Sequence, residues 1–236
     1  MKHVYLLVCG LGFALCACGG VGGASTEGSI GPWRLDVGGT VFTIHDATEY
    51  VQDSGVFTKK AREPELVRIY MSGAHFDPRQ DMRFLSLEER IRISDELQKR
   101  GYVMITFADA SKIATDTAFQ SDETGSDRDN GVTMLWNAGI QKLSSDAKFP
   151  DKIPPMASQQ SWTLSLREAR LEEGGVVAGT LEITRTRGSF DPESAPEGSF
   201  TIDFVAPVIP ERVAECNEAT GWGLQVDVEA PACAPF

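Results

Sequence analysis

Three stretches in the last third of the chain alternate apolar and polar residues with a period of two. Trp162, Leu164 and Leu166 alternate with Thr163, Ser165 and Arg167; Val177, Gly179, Leu181 and Ile183 alternate again; Phe200, Ile202 and Phe204 repeat the pattern. Successive side chains of a strand point to opposite faces, so this period belongs to half-buried β-strands and not to a helix. The glycines in "LEEGGV" supply a turn between the first two. The stretch therefore reads as an antiparallel meander with one wet face, which commits the chain to a sheet that something apolar must cover.

Further strand signals lie upstream. "TVFTIH" places Phe42 and Ile44 on one face and Val41, Thr43 and His45 on the other. "ELVRIYMSG" is a second strand, ending before Phe76-Asp77-Pro78, and "YVMITFA" reads as a buried strand, apolar on both faces. Between the last two, Ser86-Leu87-Glu88-Glu89 has capping-box spacing, Leu87, Ile91, Ser94 and Leu97 share a helical stripe, and Gly101 is placed to end the helix in a left-handed conformation. Ile91 and Ile93 also alternate, so a strand is the competing reading there. The expected fold class is mainly β: an antiparallel β-sandwich or open barrel with one helical insertion. Hydrophobic residues at 42% and charged residues at 24% fit a packed domain and not a disordered tail.

The N-terminus obeys other rules. Lys2 precedes an apolar run from Val4 to Ala17, shorter than the roughly 18 residues a membrane-spanning helix needs. Leu15-Cys16-Ala17-Cys18 closes it. This resembles the lipobox of bacterial lipoprotein leaders: a branched apolar residue, two small residues, then the cysteine that becomes the new N-terminus. The resemblance covers the first twenty or so residues and implies a diacylglycerol thioether on Cys18 and cleavage after Ala17. Cys16 stands where alanine or serine is more usual. A register with Cys16 as the lipidated residue would put bulky Leu15 before the cut. Gly19 after the cysteine, where aspartate would favour inner-membrane retention in that family, implies an outer-membrane address in the cell envelope.

These readings divide the chain into a signal peptide (1–17), a lipidated cysteine with a flexible glycine-rich tether (18–32, "CGGVGGASTEGSIGP"), and one β-rich domain (33–236). Proline-rich "FPDKIPPM" marks a subdivision point near 149–156, with a long crossing loop preferred. If Cys9 and Cys16 leave with the leader and Cys18 carries lipid, Cys216 and Cys233 remain, an even pair suited to a disulfide in an oxidising compartment.

A net charge of −12 argues against nucleic acid and against electrostatic adhesion to anionic lipid, since both require a cationic footprint. The nearest approach to a metal motif is "SDETGSDRDNG", whose Asp122, Asp127, Asp129 and Asn130 form a weak calcium candidate. Measured from Asp127, its glycine falls one position too early for a helix–loop–helix calcium loop, and a solvated acidic loop is the competing reading. His45-Asp46 and His75-Phe76-Asp77 would assemble a zinc site, or a base with its orienting carboxylate, only if their strands brought them together. No nucleophile elbow, phosphate loop, dinucleotide fingerprint or zinc-protease motif is present. The chain is thus expected to carry no cofactor and to act as an envelope binding module for a protein, polysaccharide or small ligand. The alternatives are a lipid-anchored hydrolase of extracellular polymer, with convergent acids such as Asp77 and Asp109, and a purely structural component. Loop aromatics around Trp136 and Trp222 would favour binding.

Overall fold

The computed structural model describes residues 22–31, 33–53, 56–80, 84–115, 117–122, 125–138, 160–186 and 197–210. The three alternating stretches form β8 (Gln160–Ala169), β9 (Val176–Arg185) and β10 (Gly198–Ile209), paired antiparallel in that order. Their apolar residues point inward: Trp162, Leu164, Leu166, Val177, Leu181, Ile183, Phe200, Ile202 and Phe204 are all buried. Gly179 stands in this row because a β-carbon there would lie 2.4 Å from the Ser165 carbonyl oxygen, beside the register shift at Leu166/Glu168.

Facing this sheet are β2 (Thr40–Asp53), β3 (Val56–Ser72), β4 (Tyr102–Phe107), β7 (Val132–Asn137) and the two-residue β6 (Ser126–Asp127). The path runs β5–β8–β9–β10–β2–β3–β4–β7–β6, with β5 (Ala118–Gln120) at one end and β1 (Gly23–Ile30) added to β10. The fold is mainly β, a sandwich whose two sheets join at β10 into a nearly closed, barrel-like sheet. Edge-to-face pairs knit the layers across the core: Phe107 on Phe119 at 5.1 Å and Trp136 on Phe200 at 5.7 Å. "YVMITFA" is apolar on both faces for a reason. Val103, Ile105 and Phe107 enter this core, while Tyr102 and Met104 join Phe42, Ile44 and Tyr70 on the opposite face.

Three expectations need correction. The pairing is mixed, since β2 runs parallel to β10 at Val208↔Thr43 and Ile209↔Ile44. The connection after β1 travels back along the sheet, so β2 starts beside the end of β10 and runs the same way. Second, the stretch read as tether is a strand over Gly23–Ile30, pairing with β10 from Gly23↔Val205 to Ile30↔Gly198. Third, α1 (Leu87–Arg100) has the expected capping box, with Ser86 Oγ accepting from the Glu89 amide at 3.2 Å and Glu89 Oε2 accepting from the Ser86 amide at 3.1 Å, and Gly101 at φ 96° ends it. The buried face, however, is the one carrying Ile93, which packs with Leu85 and Phe76. Leu87 and Ile91 are 66% and 54% exposed, because the helix docks through this small cluster and not across an apolar sheet face. Among the described residues no helix is long and apolar enough to cross a membrane.

Candidate functional site

A cleft of about 660 Å3 opens where β1 and β2 separate on one edge of β10. The register of β1 on β10 reaches Val205, and that of β2 begins at Val208. The Val208 amide donates toward β9, to the Gly175 carbonyl at 2.9 Å. Strand alternation then turns the nitrogen of Pro207 to the opposite edge, where it has no hydrogen to donate. The ladder is therefore interrupted at the fork by chemistry as well as by geometry. Gly22 threads the gap: a β-carbon there would sit 2.2 Å from the Val41 carbonyl oxygen and 2.6 Å from Pro207 Cδ.

Val41, Val176, Pro207, Val208 and Ile209 make the floor of the cleft apolar. One rim is the loop His75–Arg79; the other is Glu173–Gly174 in the turn between β8 and β9. The first rim is pre-organised. Thr40 Oγ1 accepts from the Phe76 amide and donates to the Phe76 carbonyl, both at 2.9 Å. Helix α1 holds the same loop from outside: the His75 amide donates to Glu96 Oε2 at 2.9 Å and Arg92 donates to the His75 carbonyl at 3.1 Å. Partial burial would raise the Glu96 carboxyl, but the His75 amide, Arg92 and Arg100 outweigh it and hold that group below its ordinary value. Phe76 also reaches the aromatic cluster, 6.5 Å from Tyr70, which lies 5.1 Å from Phe42. Burial raises the Tyr70 phenol far above its usual range, against a hydrogen bond with Ser72, so it stays neutral. The rim presents charges of both signs: Arg79 and Asp77, 3.4 Å apart and more than half exposed, and Glu173 across the opening.

Of the residues singled out from sequence, His75 and Asp77 line the cleft, and the others among the described residues fall elsewhere or have other duties. His45 lies opposite Val67, whereas His75 follows the Ser72 that pairs with Thr40; five strand positions at about 3.4 Å each separate the two registers. His45 Nε2 lies 2.7 Å from Glu65 Oε2 and Nδ1 lies 3.2 Å from the Leu171 carbonyl, and Asp46 is paired with Arg62. The His45-Asp46 and His75-Asp77 pairs are thus not assembled. Asp77 and Asp109 lie beyond opposite ends of the β3–β4 ladder, because Ser72 pairs with Tyr102 and Val67 with Phe107. Asp109 caps a short 3-10 turn, Ala110–Lys112, and the Ser111 hydroxyl and amide bonded to it lower its carboxyl. Trp136 is a core residue of β7, only 9% exposed. The expected loop aromatic is therefore a buried strand residue, and its alternation with Val132 and Met134 is the signal that could have shown it.

Asp127, from the acidic stretch 121–131, forms the seam between the two ends of the sheet, β5 and β6. Asp127 Oδ2 accepts from the Gln120 amide of β5 at 3.3 Å and from Asn130 Nδ2 at 2.8 Å, and Oδ1 accepts from the Asn130 amide at 3.1 Å. Asp122 is bridged to Arg128 at 3.3 Å, and the Asp129 carbonyl accepts from Lys112 at 2.8 Å. Among the described residues no group of three His, Cys, Asp or Glu side chains is arranged to hold a metal ion. Cys18, Cys216, Cys233 and Trp222, and the subdivision point near 149–156, lie outside the described residues. No protein-family model, no curated protein and no solved structure matches the chain.

Proposed function

We propose that this chain is a lipid-anchored envelope protein whose β-domain is a binding module, attached through Cys18 and using the cleft at the fork of β1 and β2. The observation that carries this reading is the position of Gly22, which lines the cleft and follows Cys18 by four residues. At no more than about 3.6 Å per residue, a lipid on Cys18 enters the membrane within about 14 Å of the cleft mouth. Binding site and anchor then belong to the same end of the molecule. The cleft has the composition of a ligand site: an apolar floor, a few charged groups at the edge, and a wall fixed before any ligand arrives. The hydrolase alternative loses its example pair, since Asp77 and Asp109 diverge.

Metabolic labelling with an alkyne fatty acid tests the anchor. The wild type, Cys16→Ser and Cys18→Ser are informative together: label on wild type and on Cys16→Ser, with none on Cys18→Ser, is the expected pattern. Label that persists in Cys18→Ser overturns the assignment.

A further inference from the structure

We propose that the cleft takes a single-chain amphiphile with a zwitterionic head of the amine-and-phosphate kind, its aliphatic chain on the Val41–Val176–Val208–Ile209 floor and its head at the charged rim. This deepens the binding-module reading and rests on it. The floor offers side chains without polar atoms, and Pro207 removes the amide hydrogen that the fork edge would otherwise present. Such a surface accepts an aliphatic chain and gives a sugar little to bond. The one wall hydroxyl, that of Thr40, is committed to both backbone groups of Phe76.

The rim argues for the head. Arg79 is a permanent cation with donors suited to a phosphate oxygen, and its contact with Asp77, at 3.4 Å and more than half exposed on both sides, leaves donors to spare. Asp77 and Glu173 are acceptors for an ammonium. A purely anionic ligand such as a nucleotide would meet one arginine and two carboxylates, and a purely cationic one would meet Arg79. A head bearing both charges satisfies both sides. A membrane in which the protein is anchored would deliver such a molecule within reach of the mouth.

The test is photocrosslinking of the full-length protein in phosphatidylcholine vesicles doped with a lysophosphatidylethanolamine carrying a diazirine on its chain. Crosslinks are expected on peptides containing Val176 and Val208, suppressed by excess unlabelled lysophosphatidylethanolamine and about tenfold less by the uncharged monoacylglycerol of the same chain. Val176→Trp, which fills the floor, should abolish them. Arg79→Glu, an exposed change that leaves the fold intact, should weaken competition about tenfold, and Leu87→Asp on the outer face of α1 should change nothing. Folding of each variant is checked by near-ultraviolet circular dichroism. Absence of crosslinks at these peptides in folded wild type, or crosslinks indifferent to both Val176→Trp and Arg79→Glu, overturns the proposal, and equal competition by the monoacylglycerol overturns its head-group half. Failure of the anchor is distinguishable: Cys18 would then carry no fatty-acid label while protein added to the vesicles from solution still crosslinks at the cleft.

Discussion

Replacing Asp127 with alanine separates two readings of the acidic stretch between β5 and β7. As a seam residue, Asp127 is 7% exposed and its carboxylate accepts three hydrogen bonds, from Gln120 and twice from Asn130. Alanine removes all three and strands the Gln120 amide at the junction of the two sheet ends. At about 1 kcal/mol net for each bond the loss is about 3 kcal/mol. In a domain of this size each kcal/mol moves the melting temperature by about 2–4 °C, so Asp127→Ala should melt about 6–12 °C below wild type. Asp127→Asn, which keeps one accepting oxygen, should fall between. As a calcium ligand, Asp127 would behave differently. Calcium at a hundred times its dissociation constant would stabilise the wild type by about 2.7 kcal/mol, and the cost of the alanine would vanish in chelator. Differential scanning calorimetry of both proteins, each in millimolar calcium and in chelator, decides the matter. The seam predicts the same deficit in all solutions. An alanine variant as stable as wild type, or a deficit present only with calcium, would refute the reasoning.

Two other outcomes are expected, one from the structure and one from the cysteine count. Because the Glu96 carboxyl is held below its ordinary 4.5 in the fold, its ties to the His75 loop are fully present above that pH and are lost as pH falls through the lowered value; hydrogen exchange of the peptide spanning 75–80 should accelerate there in wild type, and Glu96→Gln should flatten that acid response at a cost of no more than about 1 kcal/mol, since the pair is solvent-screened. The pairing proposed for Cys216 and Cys233 should give a joined peptide on non-reducing mapping of exported protein, and its loss should cost about 3 kcal/mol in the chain-entropy model; two freely alkylatable thiols in unreduced, folded protein refute it.

Where one side-chain pattern dominates, the fold was legible in the sequence. The alternation around Trp162, Leu181 and Ile202 needs only the strand period to be read, and the Ser86–Glu89 box and Gly101 mark both ends of α1 by local hydrogen bonding and backbone freedom alone. The helix face was misread because the stripe Leu87–Ile91 is a statement about period, whereas which stripe is buried depends on where Leu85 and Phe76 sit after folding. β1 was invisible for a stronger reason. "GASTEGSI" has the composition of a linker, and it is a strand because β10 has a second edge to satisfy. Backbone groups supply that pairing, so the side chains carry little trace of it.

The same reasoning explains why the candidate site could not be assembled from sequence. Its parts are Gly22, Thr40–Val41, the loop 75–79, Glu173–Gly174 and Val208–Ile209, segments that meet only because β10 pairs with β1 over its first part and with β2 at its end. None of these residues forms a motif with its sequence neighbours. Yet three lining residues, Gly22, Thr40 and Pro207, have a local oddity that the fork accounts for: a glycine with no room for a β-carbon, a buried threonine spent on a loop backbone, and a proline whose missing hydrogen falls on the interrupted edge. Filling the fork with regular pairing would have required an amide at residue 207 and room for a β-carbon at residue 22. The chain has proline and Gly22 there instead, and the consequence is an apolar opening beside the start of β1.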